Sequence, residues 1–488
     1  MKRIPYLLLA CLTLAAVASC GDSNTSDDKT VNTQNTGTSS MTDNAAETEE
    51  VSLLEGLGDR DLGGMVYTIF DCNSHPDLQI NMPGDEMNGD VVNDALLARD
   101  IHLEEKYNCD IQYFQENAIG KLKSMVTAGD DEWQMIIAEM TVLNGQATSG
   151  MLANMCAMPH MEMDKQWWNP LLYDTMRLHD AMYFTSSDIA PGIYQMPTCL
   201  FLNLKLYKDY DYDFDIYQSV IDGTWTTEQL RTMIHGMDSD LNGDNKFTVY
   251  DDFLGLAMHP DSSEAVLTML IGQGVKMSTV TEDGESIESN LLRDEHAVEV
   301  INKTTDLFKK ITYEKDINDF SNILFEENRA LFMVHKLESA ATHLRDMEED
   351  YLILPAPKWD EKQDAYYSYL SPYGSCFIGL PQTVSGNENY GFLTEALARY
   401  SHQHVRPIAY ELVYKQKDSR DPRTVDILDI LMNGLYIDFE SLYDFGTLNS
   451  SLVQVLYNNK PLVSTIEKRQ AAVDKAIAKF IENWTPAE

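Results

Sequence analysis

The chain has 488 residues, with 36 Lys and Arg against 78 Asp and Glu, a formal net charge of −42 spread along its length. A surface of that sign repels phosphate backbones and anionic headgroups, which excludes nucleic acid as a partner and leaves membrane attachment to a lipid anchor. The seven cysteines have no regular close spacing, so neither a zinc cluster nor a disulfide framework can be read from them.

Lys2 and Arg3 precede an apolar run from Ile4 to Val17, too short to span a bilayer comfortably but suited to the core of a signal peptide. Val17-Ala18-Ser19-Cys20 follows. Small residues ahead of a cysteine resemble the lipobox of bacterial lipoproteins. That resemblance implies a lipoprotein signal peptide over 1–20, with Cys20 taking a diacylglyceryl thioether and palmitate-type chains at the outer face of the cell membrane. The other reading is an ordinary secretory signal cut near Ala18. From Gly21 to Glu50 almost no large apolar residue occurs, and such a composition cannot offset its ordering entropy. Residues 21–60 therefore read as a polar tether with a reach of about 30 Å. Cys11 falls in the signal. Cys72, Cys109, Cys156, Cys199 and Cys376 read mostly as buried free thiols, a long-range disulfide being open to an exported chain.

Beyond the tether, residues 65–70, 109–114 and 133–139 read as strands, separated by helices over 91–106 and 120–128. Strand, helix, strand at this spacing implies parallel βαβ units. Ligands of such sheets sit at the carboxyl ends of strands, which singles out Asp71 and Glu139; Asp71 and Asn73 also suit a plain turn. Met151, Met155 and Met158 recur at helical spacing beside His160, a pattern of helix packing rather than of soft copper ligands. Trp167-Trp168-Asn169-Pro170 cannot turn both indoles into one helix face, so one is available to a cleft; packing of both under a loop is the alternative. Asp188 and Tyr194 lie in a turn ahead of a strand at 198–202, and the first crossing between domains is placed at Leu204.

Thr226 and Gln229 have capping-box spacing at the start of a helix that follows Trp225. The next motif is DSDLNGDNKFTVYDD. With Asp240 as position 1, oxygen ligands recur at Asn242, Asp244, the Lys246 carbonyl, Thr248 and Asp251, which is what a loop needs to wrap Ca²⁺, and Phe247 supplies an apolar plug. The segment resembles the calcium loops of EF-hands and dockerins. It departs from them at Asn245 where glycine is usual, tolerable in the left-handed region, and at Asp251 where glutamate is usual. An acidic loop of Asx-turns without metal is the alternative. Helical spacing returns over 265–271 and 295–311. Strands are expected at 327–334, at 351–355 and at the end of the aromatic stretch 364–379, the last one returning to the first lobe. Ser464 and Glu467 suggest a capping box for the final helix.

Taken in order, the lipobox and tether, the WTTEQL helix start, the DLNGDNKFTVYDD insert, the RALFMV strand and YLILPAPKWDEKQDAYYSY resemble extracellular solute-binding proteins of family 1, the maltose-binding-protein-like receptors of bacterial ABC importers. The resemblance implies an α/β, two-lobe periplasmic-binding-protein-like fold of class II with a ligand cleft between the lobes, and hinge closure on binding. It places the first lobe at 61–200 plus about 360–415 and the second at about 204–355 plus about 416–488. It also implies a monomeric non-enzyme that passes a carbohydrate to the transmembrane subunits of an ABC permease. Trp167, Trp168, Tyr194, Trp225, Tyr366 and Tyr373 are then expected to stack on sugar rings, and Asp71, Glu139 and Asp188 to accept from hydroxyls. Two other readings remain at this point: a lipid-anchored glycan-display protein without transport, and a glycoside hydrolase with paired carboxylates. HExxH and GxSxG do not occur in the sequence.

Overall fold

The computed structural model describes residues 52–72, 81–116, 119–260, 262–308, 320–415 and 423–484. Cys20, the signal and most of the tether, like Asn73, lie outside them. β1 (Met65–Asp71), β2 (Cys109–Gln115) and β3 (Met135–Glu139) alternate with helices Val91–Tyr107 and Lys121–Ala128, close to the spans read from the sequence. β1 pairs in parallel with both other strands, Met65 opposite Cys109 and Ile69 opposite Met135. The first helix starts where the Asp90 carboxylate accepts from the N–H groups of Val92 and Asn93. It ends at Asn108, whose φ of 53° is one that asparagine tolerates.

The later strands are β4 (Phe184–Ser186), β5 (Thr198–Asn203), β6 (Leu254–Ala257), β7 (Ser278–Val280), β8 (Ile287–Ser289), β9 (Ala330–Lys336), β10 (Tyr351–Leu354), β11 (Ser368–Tyr369), β12 (Ser375–Gly379) and β13 (Leu435–Tyr436). They complete a five-stranded sheet, β2-β1-β3-β12-β4, and build a four-stranded sheet, β10-β5-β9-β6. Each sheet is the floor of a lobe. Helices Glu388–Tyr400 and Arg406–Lys415 pack on helix Val91–Tyr107 of the first lobe, whereas Ser263–Gly272 and Arg423–Asn433 pack on strands β9 and β10 of the second.

The chain crosses between lobes at 187–197, again at 355–374, and once more between helices Arg406–Lys415 and Arg423–Asn433. The first crossing lies ahead of Leu204 because β5 already pairs with β9 and β10. As expected, β12 returns to the first sheet, antiparallel to β3. The capping boxes differ from expectation. Thr226 does accept from Gln229 N–H at 3.4 Å, but the Gln229 side chain turns to Ser219 Oγ at 3.3 Å instead of closing the box. Ser464 and Glu467 lie within the short helix Leu462–Glu467, and the last helix starts only at Gln470.

That last helix, Gln470–Trp484, spans both lobes. Phe480 packs among Phe439, Tyr443 and Phe445, while Trp484 stands edge-on to Tyr183 and Phe184 of the first lobe and donates to Ala181 O at 3.3 Å. The methionines at 155 and 158 are core, as their spacing suggests, but sit in a 3₁₀ turn and a loop. Among the described residues no disulfide joins the cysteines, and Cys72, Cys199 and Cys376 are buried. Among the described residues no helix is long and apolar enough to cross a membrane.

Candidate functional site

Because β1 and β3 are parallel, Asp71 and Glu139 emerge at the same end of the first sheet. β12 starts at that end, with Ser375 opposite Glu139, so segment 371–374 lies across it and Pro372 O accepts from Met140 N–H at 3.1 Å. In the second sheet β6 and β9 are parallel, and His259 and Lys336 mark their carboxyl ends. Glu264, in the first turn of helix Ser263–Gly272, accepts from Ser371 Oγ at 2.8 Å. Lys336 Nζ donates to Glu338 at 3.2 Å. The carboxyl ends of both sheets thus deliver polar side chains to one short segment, the place where open α/β sheets bind ligands.

Tyr373 stands in the middle of that segment with 59% of its surface exposed. Burial of its inner part, and then the carboxylates of Glu264, Asp444 and Glu139, raise its hydroxyl above the usual value. Burial raises Glu264 as well, against the pull of Lys336 and the Ser371 hydroxyl. Burial pushes the Cys376 thiol well up, with Lys336 opposing and Asp71, Glu338 and Glu139 adding to it. These mutual effects show that the groups share one electrostatic neighbourhood. A Cβ on Gly374 would stand 1.8 Å from Met196 Sδ, so the first two crossings touch where only glycine fits. Glu139 is half-buried and accepts from Thr141 Oγ1 at 3.3 Å. Carboxylate acceptors, an ammonium donor and an exposed aromatic face suit a ligand rich in hydroxyls and C–H surface.

Four other sequence candidates, Trp167, Trp168, Asp188 and Tyr194, come together elsewhere, around a cavity of about 590 Å³ beside β4. Both indoles belong to a buried polar network and are less available than their position in the sequence suggests. Glu395, fully buried, accepts from Trp167 Nε1 at 2.7 Å and Trp168 Nε1 at 2.9 Å and pairs with Arg399 at 2.9 Å. The Arg399 guanidinium covers one face of Trp167 at 4.4 Å. Asp188 accepts from the Tyr194 hydroxyl through one oxygen and meets His402 Nδ1 at 2.6 Å through the other. Burial and then Asp188 hold the Tyr194 hydroxyl well above its usual range.

Trp225 and Tyr366 do not reach a cleft. Trp225 is fully buried, donating to Pro355 O at 2.9 Å and stacking on Phe332 with centroids 5.8 Å apart. The Tyr366 hydroxyl accepts from Trp225 N–H at 3.2 Å, and Lys358 Nζ lies 5.4 Å over its ring. Both are core because the crossing 355–366 wraps over the start of helix Thr227–Ile234, with Thr227 N–H bonded to Lys358 O at 2.8 Å.

In the loop 240–251 the expected donors are turned inward onto the chain itself. Asp240 accepts from Gly243 and Asn245 N–H at 2.6 and 2.7 Å, Asn242 from Asp244 at 2.9 Å and Asp244 from Lys246 at 2.8 Å. Asn245 does take the left-handed conformation, at φ 61°. Thr248 Oγ1 accepts from Tyr250 and Asp251 N–H at 3.3 and 3.4 Å, and Asp251 accepts from Asn242 Nδ2 at 3.5 Å. The buried carboxylate that ties the loop together is Asp252, bonded to Leu241 and Thr248 N–H at 3.0 and 2.6 Å. Among the described residues no three His, Cys, Asp or Glu side chains form a metal-holding group.

Glu264, Lys336 and Glu338 escape the sequence reading, as do His402 and Arg406 beside the cavity. The signal for the first three is the strand-end rule applied to the second lobe: Lys336 closes RALFMVHK and Glu264 follows the strand LGLA. Burial raises the Cys109 thiol to about 12 and Cys156 to about 11, which keeps both protonated near neutral pH.

Two α/β lobes joined by crossings, with strand ends facing one another, define the fold of the two-lobe periplasmic sugar-binding proteins, and solved structures of that fold match this chain over most of its length. One is the GacH receptor of Streptomyces glaucescens GLA.O, known unliganded and with acarbose: 15% identity, 85% of this chain and 99% of that one, TM-score 0.50. Another is a cyclo/maltodextrin-binding protein complexed with maltotetraose: 13% identity, 84% and 97% covered, TM-score 0.55. No family model matches the chain, and no curated protein sequence does.

Proposed function

We propose that this chain is the solute receptor of an ABC importer, a non-enzymatic, monomeric protein that captures a sugar or oligosaccharide between its lobes, closes about the crossings and presents the solute to a permease. The observation that carries the reading is the convergence of Asp71, Glu139, Glu264, Lys336 and Tyr373 from both lobes on segment 371–374, in a fold whose neighbours hold acarbose and maltotetraose. Carboxylates and an ammonium serve sugar hydroxyls, and Tyr373 offers a face to the ring.

A thermal-shift screen over a carbohydrate panel tests it. A ligand at a hundred times its dissociation constant stabilises by about 2.7 kcal/mol, and small-angle scattering of the bound form should show compaction without turnover. Binding without compaction favours glycan display instead, and consumption of the glycan favours hydrolysis.

The anchor and the ion belong to the same proposal. Cys20 carries the lipid, so Cys20→Ser should release the protein from the membrane fraction, and unchanged membrane retention counts against acylation. The all-oxygen donors Asp240, Asn242, Asp244, Lys246 carbonyl, Thr248 and Asp251 suit a hard cation in type. Ca²⁺ in a structural role predicts that EDTA lowers the melting temperature and that added Ca²⁺ restores it.

A further inference from the structure

The cavity beside β4 has a chemistry of its own. Its volume, about 590 Å³, lies within the range of small-molecule sites, roughly 300–1,000 Å³. Arg406 of helix Arg406–Lys415 faces it, half-buried. One of its N–H groups donates to Tyr410 Oη at 2.7 Å, and its guanidinium lies 4.9 Å over that ring. No carboxylate among the described residues pairs with it directly. Asp188 and, more weakly, Asp429 are near enough to act on it through space, but both Asp188 oxygens are already engaged, by the Tyr194 hydroxyl and by His402. A guanidinium has five N–H donors, so most of this one's capacity is unspent in a partly desolvated place.

The mouth differs from the depth. Gln166, Asp174 and Asn433 are exposed there and able to serve hydroxyls, while Trp168, Ile193 and Met432 give apolar surface. One half-buried cation behind an acidic, amide-lined mouth matches one carboxylate on a polyhydroxyl body; a dianion would meet Asp174 and the net negative chain.

We propose that this cavity is a second ligand site, separate from the Tyr373 site, that takes a small carboxylate-bearing sugar of the hexuronic acid type, its carboxylate on Arg406 and its hydroxyls at Gln166, Asp174 and Asn433. The two sites share no residue, and the proposal goes beyond solute capture at Tyr373.

Calorimetric titration of the full chain with glucuronate, glucose and acetate tests it. Glucuronate should saturate one site at least tenfold more tightly than either of the others. Arg406→Gln should weaken glucuronate at least tenfold, with partial recovery in Arg406→Lys, both variants being checked for an unchanged melting temperature. Tyr373→Ala should leave glucuronate binding in place. Equal binding of glucose, equal binding of acetate, or no binding of glucuronate overturns the proposal. So does weakening by Tyr373→Ala with Arg406→Gln neutral, since that result puts glucuronate at the Tyr373 site. A chain that binds glucuronate through Arg406 but no sugar of the wider panel keeps the second site and loses the solute-receptor reading.

Discussion

Behind Trp167 and Trp168 the polar groups are spent on one another; around Tyr373 they are spent only in part, on single bonds such as Ser371 to Glu264 and Lys336 to Glu338. Glu395 receives two indole N–H groups and Arg399, and Arg399 reaches on to Glu162 at 2.6 Å. That network is buried except at its outer end, Glu162, and its hydrogen bonds are spent within it, so its energy goes into holding the first lobe together. At segment 371–374 the carboxylates of two lobes meet around an exposed ring with hydrogen-bonding capacity left over. An aromatic side chain therefore marks a ligand wall only where the polar groups beside it still have acceptors or donors to give.

The largest effect that could break this contrast is expected at Glu395. Glu395→Ala strands Arg399 and two indole N–H groups in the core, and urea unfolding should show a loss of about 3–5 kcal/mol; a loss under 1 kcal/mol means the network is not what holds the two tryptophans. Next comes Tyr373→Ala, which should weaken any sugar found in the panel about tenfold, about 1.4 kcal/mol. The same variant should change stability by no more than about 0.5 kcal/mol, as for an exposed site. A large stability loss with unchanged affinity would reverse the roles assigned to the two regions.

Glu440 sharpens the comparison, being buried with neither carboxyl oxygen partnered among the described residues. Burial holds it well above the usual carboxylate range; Asp438 and Asp444 add to this, and the Phe445 N–H pulls the other way. The folded chain thus binds this proton more tightly than the unfolded one. Its contribution to stability is whole below the ordinary value of about 4.3 and is lost as pH rises through the raised folded value. Glu440→Gln should stabilise at pH 8 by about 1 kcal/mol and give no gain at pH 4. Equal effects at both pH values would mean that the group does not titrate differently in the fold.

The α/β lobes were legible because hydrophobic period is local: the runs MVYTIF, CDIQYF and WQMIIAE each declare a strand without help from distant chain. The return of β12 to the first sheet was legible too, from an apolar strand after a proline-limited crossing. Asp71 and Glu139 were legible as strand-end residues, and the structure does set them at one end of the first sheet, where β12 begins. The site was not legible at Trp225 and Tyr366, since whether an aromatic faces a cleft depends on how segment 355–366 folds over the next helix, and nothing adjacent in sequence encodes that. Glu264 and Lys336 were missed for a related reason: they become neighbours only once two sheets are set face to face.

The helix Gln470–Trp484 is rooted among Phe439, Tyr443 and Phe445, yet its last indole lies against Tyr183 and Phe184 on the opposite lobe. Any swing of the lobes must strain or slide that aromatic seam, which makes Trp484 a built-in gauge: its fluorescence should register a change of angle that no residue in the cleft needs to report.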